Sequence, residues 1–241
     1  MTKLRYRTRL KHFYFKTKKN ILNYRLMIQT SRKYYLLKQK KLLLPSSLTD
    51  FYNHHKIRVI ESQSTQSIQQ KEYLESLKDH FQHVLEIGFN GGHSAEIFLK
   101  FNPMSNVTSI DLGYWYYCKF GDEYLSQLYP NRLNVIFKDS IQALESNKFI
   151  NKDEKFSLIY IDGNHTYHYA YNDLLNCKKF ADSETLLIMD DVILDEKYRS
   201  NSNKGPTEAW SNLVSQKEII EIEYQKFSEF NRGLAVGKYS F

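Results

Sequence analysis

The stretch VLEIGFNGGHSAEIFL, residues 84–99, decides the fold. It reads as a buried apolar strand, a glycine-rich turn and the start of a helix. Gly88 lets the backbone turn tightly where the strand ends, and Gly91 and Gly92 leave room for a ligand against the backbone. Ser94 is expected to help cap the helix, whose free N–H groups face the ligand. An ordinary glycine-rich strand–helix joint is the alternative interpretation.

The chain after this turn alternates between strand and helix patterns. Its predicted strands are 83–87, 107–111, 133–137, 156–161, 185–189, 219–224 and 233–238, and its predicted helices are 93–101, 121–129, 140–148, 168–180 and 205–217. The central strands are continuous apolar runs, as expected for strands covered on both faces. This alternation predicts an α/β fold with a doubly wound, mostly parallel seven-stranded sheet. The last two strands have no helix between them, so we expect an antiparallel edge hairpin.

The charge is divided unevenly along the 241 residues. Residues 1–45 contain 14 Lys and Arg and no acidic residue, which leaves 20 basic and 27 acidic residues in the remainder. A loose helical period runs over 20–44 and ends at Pro45. Residues 46–70 are polar, with a loop or helix N-terminus near their end, and 68–81 has the pattern of a helix. We therefore expect a basic N-terminal extension, residues 1–47, and one domain, residues 48–241.

The basic extension has three interpretations. It could bind nucleic acid or an anionic membrane surface through residues 1–45, act as an organellar presequence, or form a solvated tail or substrate lid. Two distant cysteines, Cys118 and Cys177, indicate neither a disulfide framework nor a zinc site. Because no apolar run is long enough to span a membrane, we expect no transmembrane segment and a cytoplasmic protein.

The spacing in the turn separates two classes of cofactor. A dinucleotide-binding turn has the order G-x-G-x-x-G, whereas here the order is E-x-G-x-x-x-G, and Asp111 ends the next strand. This pattern closely resembles the class I S-adenosylmethionine-dependent methyltransferases, which have a Rossmann-like fold. The resemblance implies that Glu86 holds the methionine part of the cofactor and that Asp111 accepts the ribose hydroxyls. A cationic ligand favours a nearby carboxylate, and a diol favours a bidentate acceptor.

Other residues follow from the same resemblance, which covers roughly residues 58–239. It implies that Gly88, Asn90, Gly92 and Ser94 contact the cofactor. It also implies that Asp139 and Ser140, which follow the third strand, lie beside the adenine.

The fourth strand ends in IDGNHTY, residues 161–167. This motif resembles that of small O-methyltransferase-like proteins similar to the catechol-type, cation-dependent enzymes. The resemblance implies that Asp162, Asp190 and Asp191 hold a divalent metal, with Asp191 where those enzymes usually have Asn. Oxygen ligands favour Mg²⁺ or Mn²⁺ over zinc. Alternatively, these acids cap helices or contact the substrate without metal.

His165 stands where the catechol-type enzymes have a lysine base. An imidazole could act as the general base near neutral pH, so we place His165 and Asp162 as catalytic candidates; alternatively, His165 only orders its loop. The function expected is S-adenosylmethionine-dependent O-methylation of a small-molecule acceptor. The alternatives are a nucleic-acid methyltransferase tethered by the basic arm and a non-catalytic S-adenosylmethionine-binding module. Nothing in the sequence specifies the oligomeric state.

Overall fold

The predicted seven-stranded sheet is present in the computed structural model, which describes residues 44–59, 67–146, 148–195, 197, 199–229 and 232–241. Its elements in chain order are α1 (Leu48–His54), α2 (Ile68–Ser76), β1 (His83–Ile87), α3 (His93–Phe101), β2 (Asn106–Asp111), α4 (Tyr116–Leu128), β3 (Leu133–Phe137), α5 (Ser140–Glu145), β4 (Leu158–Ile161), α6 (Tyr167–Cys177), β5 (Leu186–Asp190), α7 (Lys204–Ser215), β6 (Ile219–Phe227) and β7 (Arg232–Tyr239).

The strand order is β3-β2-β1-β4-β5-β7-β6. The first five strands in sequence pair in parallel, whereas β7 runs antiparallel to both β5 and β6. This topology confirms the Rossmann-like fold and the antiparallel edge hairpin expected from the sequence. It also places the carboxyl ends of all five parallel strands along one edge of the sheet, where open α/β sheets bind ligands.

The two faces of the sheet are covered by different helices. Leu85 and Ile161 pack in one core with Leu174 of α6 and Trp210 of α7. On the opposite face, Tyr160 makes an edge contact with Phe98 of α3, with ring centroids 5.4 Å apart. Alternate residues of a strand point to opposite faces, which explains why the central strands are apolar at nearly every position.

Two helices differ from the sequence expectation. Helix α1 lies in the polar stretch 46–70, where no helix was predicted before residue 68; Ser47 caps it, and its Leu48 and Phe51 are fully buried. Helix α4 begins at Tyr116 instead of 121, so Gly121 lies inside the helix. A Cβ at Gly121 would lie 2.5 Å from the Gly91 carbonyl oxygen, so this glycine serves a close contact and does not break the helix.

Several predicted helices end earlier than expected. The predicted helix 68–81 is α2 followed by a 3₁₀ turn, Lys78–His80, and the predicted helix 168–180 is α6 followed by a second 3₁₀ turn, Lys178–Phe180. Helix α5 ends at Glu145. The helical period over 20–44 lies outside the described residues except at Leu44, and the division at residue 47 stays a prediction. Within the described part of the chain, no helix is long and apolar enough to cross a membrane.

Asp173 of α6 is a buried acid without a charge partner in the core. Its side chain is fully buried, and neither carboxylate oxygen has a hydrogen bond of acceptable geometry. Burial raises the pKa of Asp173 to about 7; the nearby Ser140 hydroxyl lowers it in part and the Asp139 carboxylate raises it further. The folded protein therefore binds this proton more tightly than the unfolded chain does.

We predict that Asp173→Asn makes stability less dependent on pH. Between about pH 4 and pH 7 the folded state holds a proton that the unfolded state releases, so the free energy of unfolding of the wild type falls as the pH rises. The variant cannot lose that proton and should be more stable than the wild type at pH 8 by about 1–3 kcal/mol. Urea denaturation across this range measures the difference. The exposed Asp153→Asn is the control, and parallel curves for Asp173→Asn and wild type would contradict the prediction.

Candidate functional site

The glycine-rich turn and the turn after β4 touch each other at the carboxyl edge of the sheet. The Asp162 N–H donates to the Ile87 carbonyl at 2.8 Å. Gly88 has a φ of 102°, and a Cβ there would lie 1.9 Å from the Asp162 carbonyl oxygen. Only glycine fits a backbone approach this close. The turn that was predicted to bind a ligand therefore adjoins the turn that carries the predicted catalytic acid.

Asp111 holds the glycine-rich turn from the β2 side. Its carboxylate accepts the Asn90 N–H at 2.8 Å and the Gly113 N–H at 2.6 Å. Asn90 has a left-handed backbone with φ 47°, and its buried side-chain oxygen has no hydrogen-bond partner. A buried acceptor without a hydrogen bond destabilises a folded protein, so a ligand that donates to the Asn90 oxygen would be favoured here. Asp111 Oδ1, which binds the Gly113 N–H, also accepts a weak hydrogen bond from the Cys118 thiol at 3.9 Å, so the lone pair available for a diol is on Oδ2.

Glu86 lies fully buried beneath this turn. Its two oxygens accept hydrogen bonds from the hydroxyls of Ser94 and Ser109. Burial raises the pKa of Glu86 to about 7; the two serines lower it, and the carboxylates of Asp162 and Asp111 raise it. A cationic group at the turn would lower the pKa of Glu86 and so oppose the effect of the Asp162 and Asp111 carboxylates.

The expected capping role of Ser94 is wrong. Helix α3 begins at His93 with Gly92 as its N-cap, and no side chain caps it. Gly92 takes the left-handed conformation with φ 85°. Because the Ser94 hydroxyl is directed to the buried Glu86 carboxylate, it is not available for the helix N-terminus.

Asp139 and Ser140 lie at the carboxyl end of β3, where α5 begins. Asp139 caps α5 by accepting the Gln142 N–H at 3.1 Å, and its other oxygen accepts the Tyr169 hydroxyl at 2.7 Å. Ser140 lies beside Asp173 and lowers the pKa of that carboxyl. Both residues therefore have structural contacts at the position expected for an adenine site.

The turns after β4 and β5 bring together Asp162, His165 and Asp191. One ligand atom from each lies within 4.8 Å of the other two. His165 Nε2 lies 3.5 Å from Asp162 Oδ1 and 3.3 Å from Asp191 Oδ2. Burial lowers the pKa of His165, but the hydrogen bond to Asp162 and the surrounding aspartates raise it to about 9. Asp191 has a left-handed backbone with φ 58°.

Asp190 adjoins this cluster but faces a different set of partners. One oxygen accepts from Gln70 Nε2 at 2.8 Å and from the Tyr160 hydroxyl at 2.7 Å, and the other accepts the Asp191 N–H at 2.7 Å. Burial, followed by the charges of Asp162 and Asp191, raises the pKa of Asp190 to about 8, and Arg232 opposes this shift. Arg232 also donates to the Gln70 side-chain oxygen at 3.1 Å.

Sequence reasoning missed the side chains that support these acids. Gln70 lies on α2 and Arg232 begins the last strand, so each is far in sequence from β5. A lone Arg before the apolar run GLAV was the available signal for Arg232, since a cation buried beside a strand needs an acidic partner. Gln70 gave no signal, because a polar residue on a short helix is usually exposed.

Part of the chain matches a known protein family. Residues 85–192, just under half of the chain, match the family model described as a methyltransferase domain. The matched range contains the glycine-rich turn, Asp111, Asp162 and the Asp190–Asp191 pair. No curated protein has a matching sequence.

Solved structures with this fold include several O-methyltransferases and an N-methyltransferase, all at low sequence identity. A candidate O-methyltransferase of Klebsiella pneumoniae superposes with a TM-score of 0.62 at 18% identity, covering 88% of this chain and 97% of its own. An O-methyltransferase of Bacillus cereus in complex with S-adenosylhomocysteine gives 0.62 at 14%, covering 86% and 97%. The O-methyltransferase TomG of Streptomyces achromogenes, in complex with S-adenosylmethionine, gives 0.59 at 15%, covering 88% and 96%. The chain therefore has the fold of these enzymes.

We predict that Gln70→Ala destabilises the protein by about 2 kcal/mol, because it removes one hydrogen bond from each of the buried side chains of Asp190 and Arg232. Gln69→Ala is the matched control: it removes a neighbouring side chain of the same size, which lies on the exposed side of α2 and accepts hydrogen bonds from Ser228. Urea denaturation at neutral pH compares the two. Equal losses of stability would show that the buried network contributes nothing beyond the helix.

Proposed function

We propose that this protein is a class I S-adenosylmethionine-dependent methyltransferase that methylates an oxygen of a small-molecule acceptor. The observation that supports it most is the glycine-rich turn, which is held by Asp111 on one side and packed against the Asp162 turn on the other. The fold and the family match over residues 85–192 agree with this activity.

The residues around the turn fit the cofactor. Gly88, Asn90, Gly92 and Ser94 line or support the turn, and the unpartnered Asn90 oxygen offers an acceptor there. Asp111 would take the ribose hydroxyls, Glu86 would face the cationic methionine part, and Asp139 with Ser140 would lie beside the adenine. When bound, S-adenosylmethionine supplies an electrophilic methyl group on a sulfonium. The negative charge of Glu86, Asp111 and Asp162 around Gly88 complements such a cation.

The chain's own contribution to the transfer is placement. Direct methyl transfer needs the acceptor oxygen in line with the methyl group, and fixing two reactants in that geometry removes much of the entropic barrier. Because Gly88 touches the Asp162 turn, an acceptor bound at Asp162, His165 and Asp191 would adjoin the cofactor turn. The acceptor oxygen must also lose its proton, so a base is needed on this edge of the sheet.

The acidic cluster also fits a divalent cation. Asp162 and Asp191 would hold it, since their carboxylates already share one cationic partner, His165. The third position falls either to His165, which lies in the cluster, or to Asp190, which adjoins it and is bound by Gln70 and Tyr160. Oxygen ligands favour Mg²⁺ or Mn²⁺, and such a cation would lower the pKa of a bound hydroxyl.

We assign His165 as the general base in this proposal, because it lies in the cluster where the acceptor would bind. Although burial lowers its pKa, the aspartates raise that pKa to about 9. A cation bound to Asp162 and Asp191 would lower the pKa again, so that the neutral imidazole could accept the proton. The contacts with Asp162 and Asp191 fix the orientation of the imidazole. Asp162 would then serve both the cation and the base. A small acceptor suits the domain better than nucleic acid does, because residues 46–241 carry more acidic than basic side chains.

The cofactor assignment predicts that S-adenosylhomocysteine, but not NADH, raises the melting temperature of the protein. Asp111→Ala should remove most of this increase, because the ribose loses its acceptor and the Asn90 N–H loses its anchor. Differential scanning fluorimetry with each ligand measures the effect, with the exposed Asp153→Ala as control. Stabilisation by NADH and none by S-adenosylhomocysteine would show that the assignment is wrong.

The cation assignment predicts that chelation removes methyl transfer and that Mg²⁺ or Mn²⁺ restores it. Asp162→Asn and Asp191→Asn should each lose metal binding, measured by Mn²⁺ titration. If His165 is the base, His165→Ala should lower turnover at least 100-fold while leaving Mn²⁺ affinity and cofactor affinity near wild type.

Two results would contradict parts of this assignment. Loss of Mn²⁺ affinity in His165→Ala, with retention in Asp190→Asn, would make the histidine the third ligand instead of the base. Full activity in the presence of chelator would remove the cation from the mechanism and leave His165 as the base of a metal-free transfer.

A further inference from the structure

Helix α1 reaches the glycine-rich turn through one side chain, Tyr52. Its hydroxyl donates to the Gly91 carbonyl at 2.7 Å and lies 3.1 Å from the Tyr117 carbonyl. The side chain is only 3% exposed. Because a tyrosine hydroxyl has a single proton to donate, the shorter contact fixes its orientation toward Gly91.

The Gly91 carbonyl is enclosed on both sides. A Cβ at Gly121 of α4 would lie 2.5 Å from the Gly91 oxygen and 2.7 Å from the Tyr52 hydroxyl oxygen. Helix α4 and the Tyr52 hydroxyl therefore both lie close to the Gly91 carbonyl, and a side chain at position 121 would overlap both. The ring of His93, the first residue of α3 after the turn, also packs on the Tyr52 ring, with centroids 5.7 Å apart.

Helix α1 is itself anchored firmly enough to hold Tyr52 in place. The Leu48 N–H donates to the Glu96 carboxylate of α3 at 2.7 Å. The Phe51 ring stacks on the Tyr124 ring of α4 at 4.6 Å, and the Tyr124 hydroxyl donates to the Pro45 carbonyl at 2.6 Å. These contacts attach α1 to the helices on either side of the turn, but only Tyr52 bonds to the turn itself.

We infer that Tyr52 is a positioning residue for the cofactor: it holds the Gly91 carbonyl so that the 88–92 turn keeps the conformation that binds S-adenosylmethionine. The inference rests on the proposed function for the identity of the ligand. It assigns a role in the cofactor site to an N-terminal helix that lies outside the matched range 85–192. Tyr52 acts through the turn and need not touch the cofactor.

Tyr52→Phe and Tyr124→Phe form a matched pair that tests this inference. Each removes one hydroxyl that donates to a backbone carbonyl. Each also weakens a contact between residues 45–54 and α4, at the Tyr117 carbonyl for Tyr52→Phe and at the Pro45 carbonyl for Tyr124→Phe. Only the first removes a hydrogen bond to the turn. A purely structural role predicts similar losses of stability and unchanged cofactor binding in both variants.

Two measurements on the full-length protein decide the question. Calorimetric titration with S-adenosylhomocysteine should give a dissociation constant about fivefold to tenfold higher for Tyr52→Phe and unchanged for Tyr124→Phe, the effect of one net hydrogen bond. Amide hydrogen exchange without ligand should be faster at residues 88–93 in Tyr52→Phe alone. The reporters are the Asn90 amide, which donates to the Asp111 carboxylate, and the Gly92 amide, which donates to the Phe89 carbonyl within the turn.

The outcomes separate this inference from the proposed function. Equal dissociation constants and equal exchange at 88–93 in the two variants would overturn the role of Tyr52. Failure of the wild type to bind S-adenosylhomocysteine would instead overturn the proposed function. The exchange comparison needs no ligand, so it would still show whether Tyr52 holds the turn.

Discussion

The architecture of the site depends on the contact between Gly88 and the carbonyl of Asp162. A side chain at position 88 would overlap that carbonyl at 1.9 Å, so the absence of a Cβ is what lets the turn after β1 and the turn after β4 meet. The pairing of β1 with β4 places the two turns side by side, and the Asp162 N–H bond to Ile87 fixes their spacing. A cofactor turn and an acidic cluster in contact are what a group-transfer site requires.

The negative charge gathered at this edge needs support from distant parts of the chain. A buried carboxylate is expensive unless it is hydrogen-bonded or paired. The Glu86 carboxylate accepts hydrogen bonds from two serine hydroxyls. The Asp190 carboxylate accepts hydrogen bonds from Gln70 and Tyr160, and the positive charge of Arg232 lies nearby. The helices before β1 and the last strand are therefore part of the site, although neither carries a residue expected to touch the reacting atoms.

Much of the fold could be predicted because its signals are local. A continuous apolar run bounded by turn residues identifies each central strand, and strict alternation with helices leaves few topologies. The glycine spacing and Asp111 indicated which edge of the sheet binds a ligand, because they too are local in sequence. The roles of Gly121, Tyr52 and Gln70 could not be predicted, because each depends on contacts with residues 30 or more positions away.

A crystal structure of the protein grown with S-adenosylhomocysteine tests the central claim most directly, because the claim concerns where one ligand lies. The account predicts density at the 88–92 turn, with the ribose hydroxyls on Asp111 and the sulfur on the side that faces Asp162 and His165. Density at another surface would contradict the account. So would a turn occupied with the ribose pointing away from Asp111, since the glycine-rich turn and the acidic cluster would then not form one site.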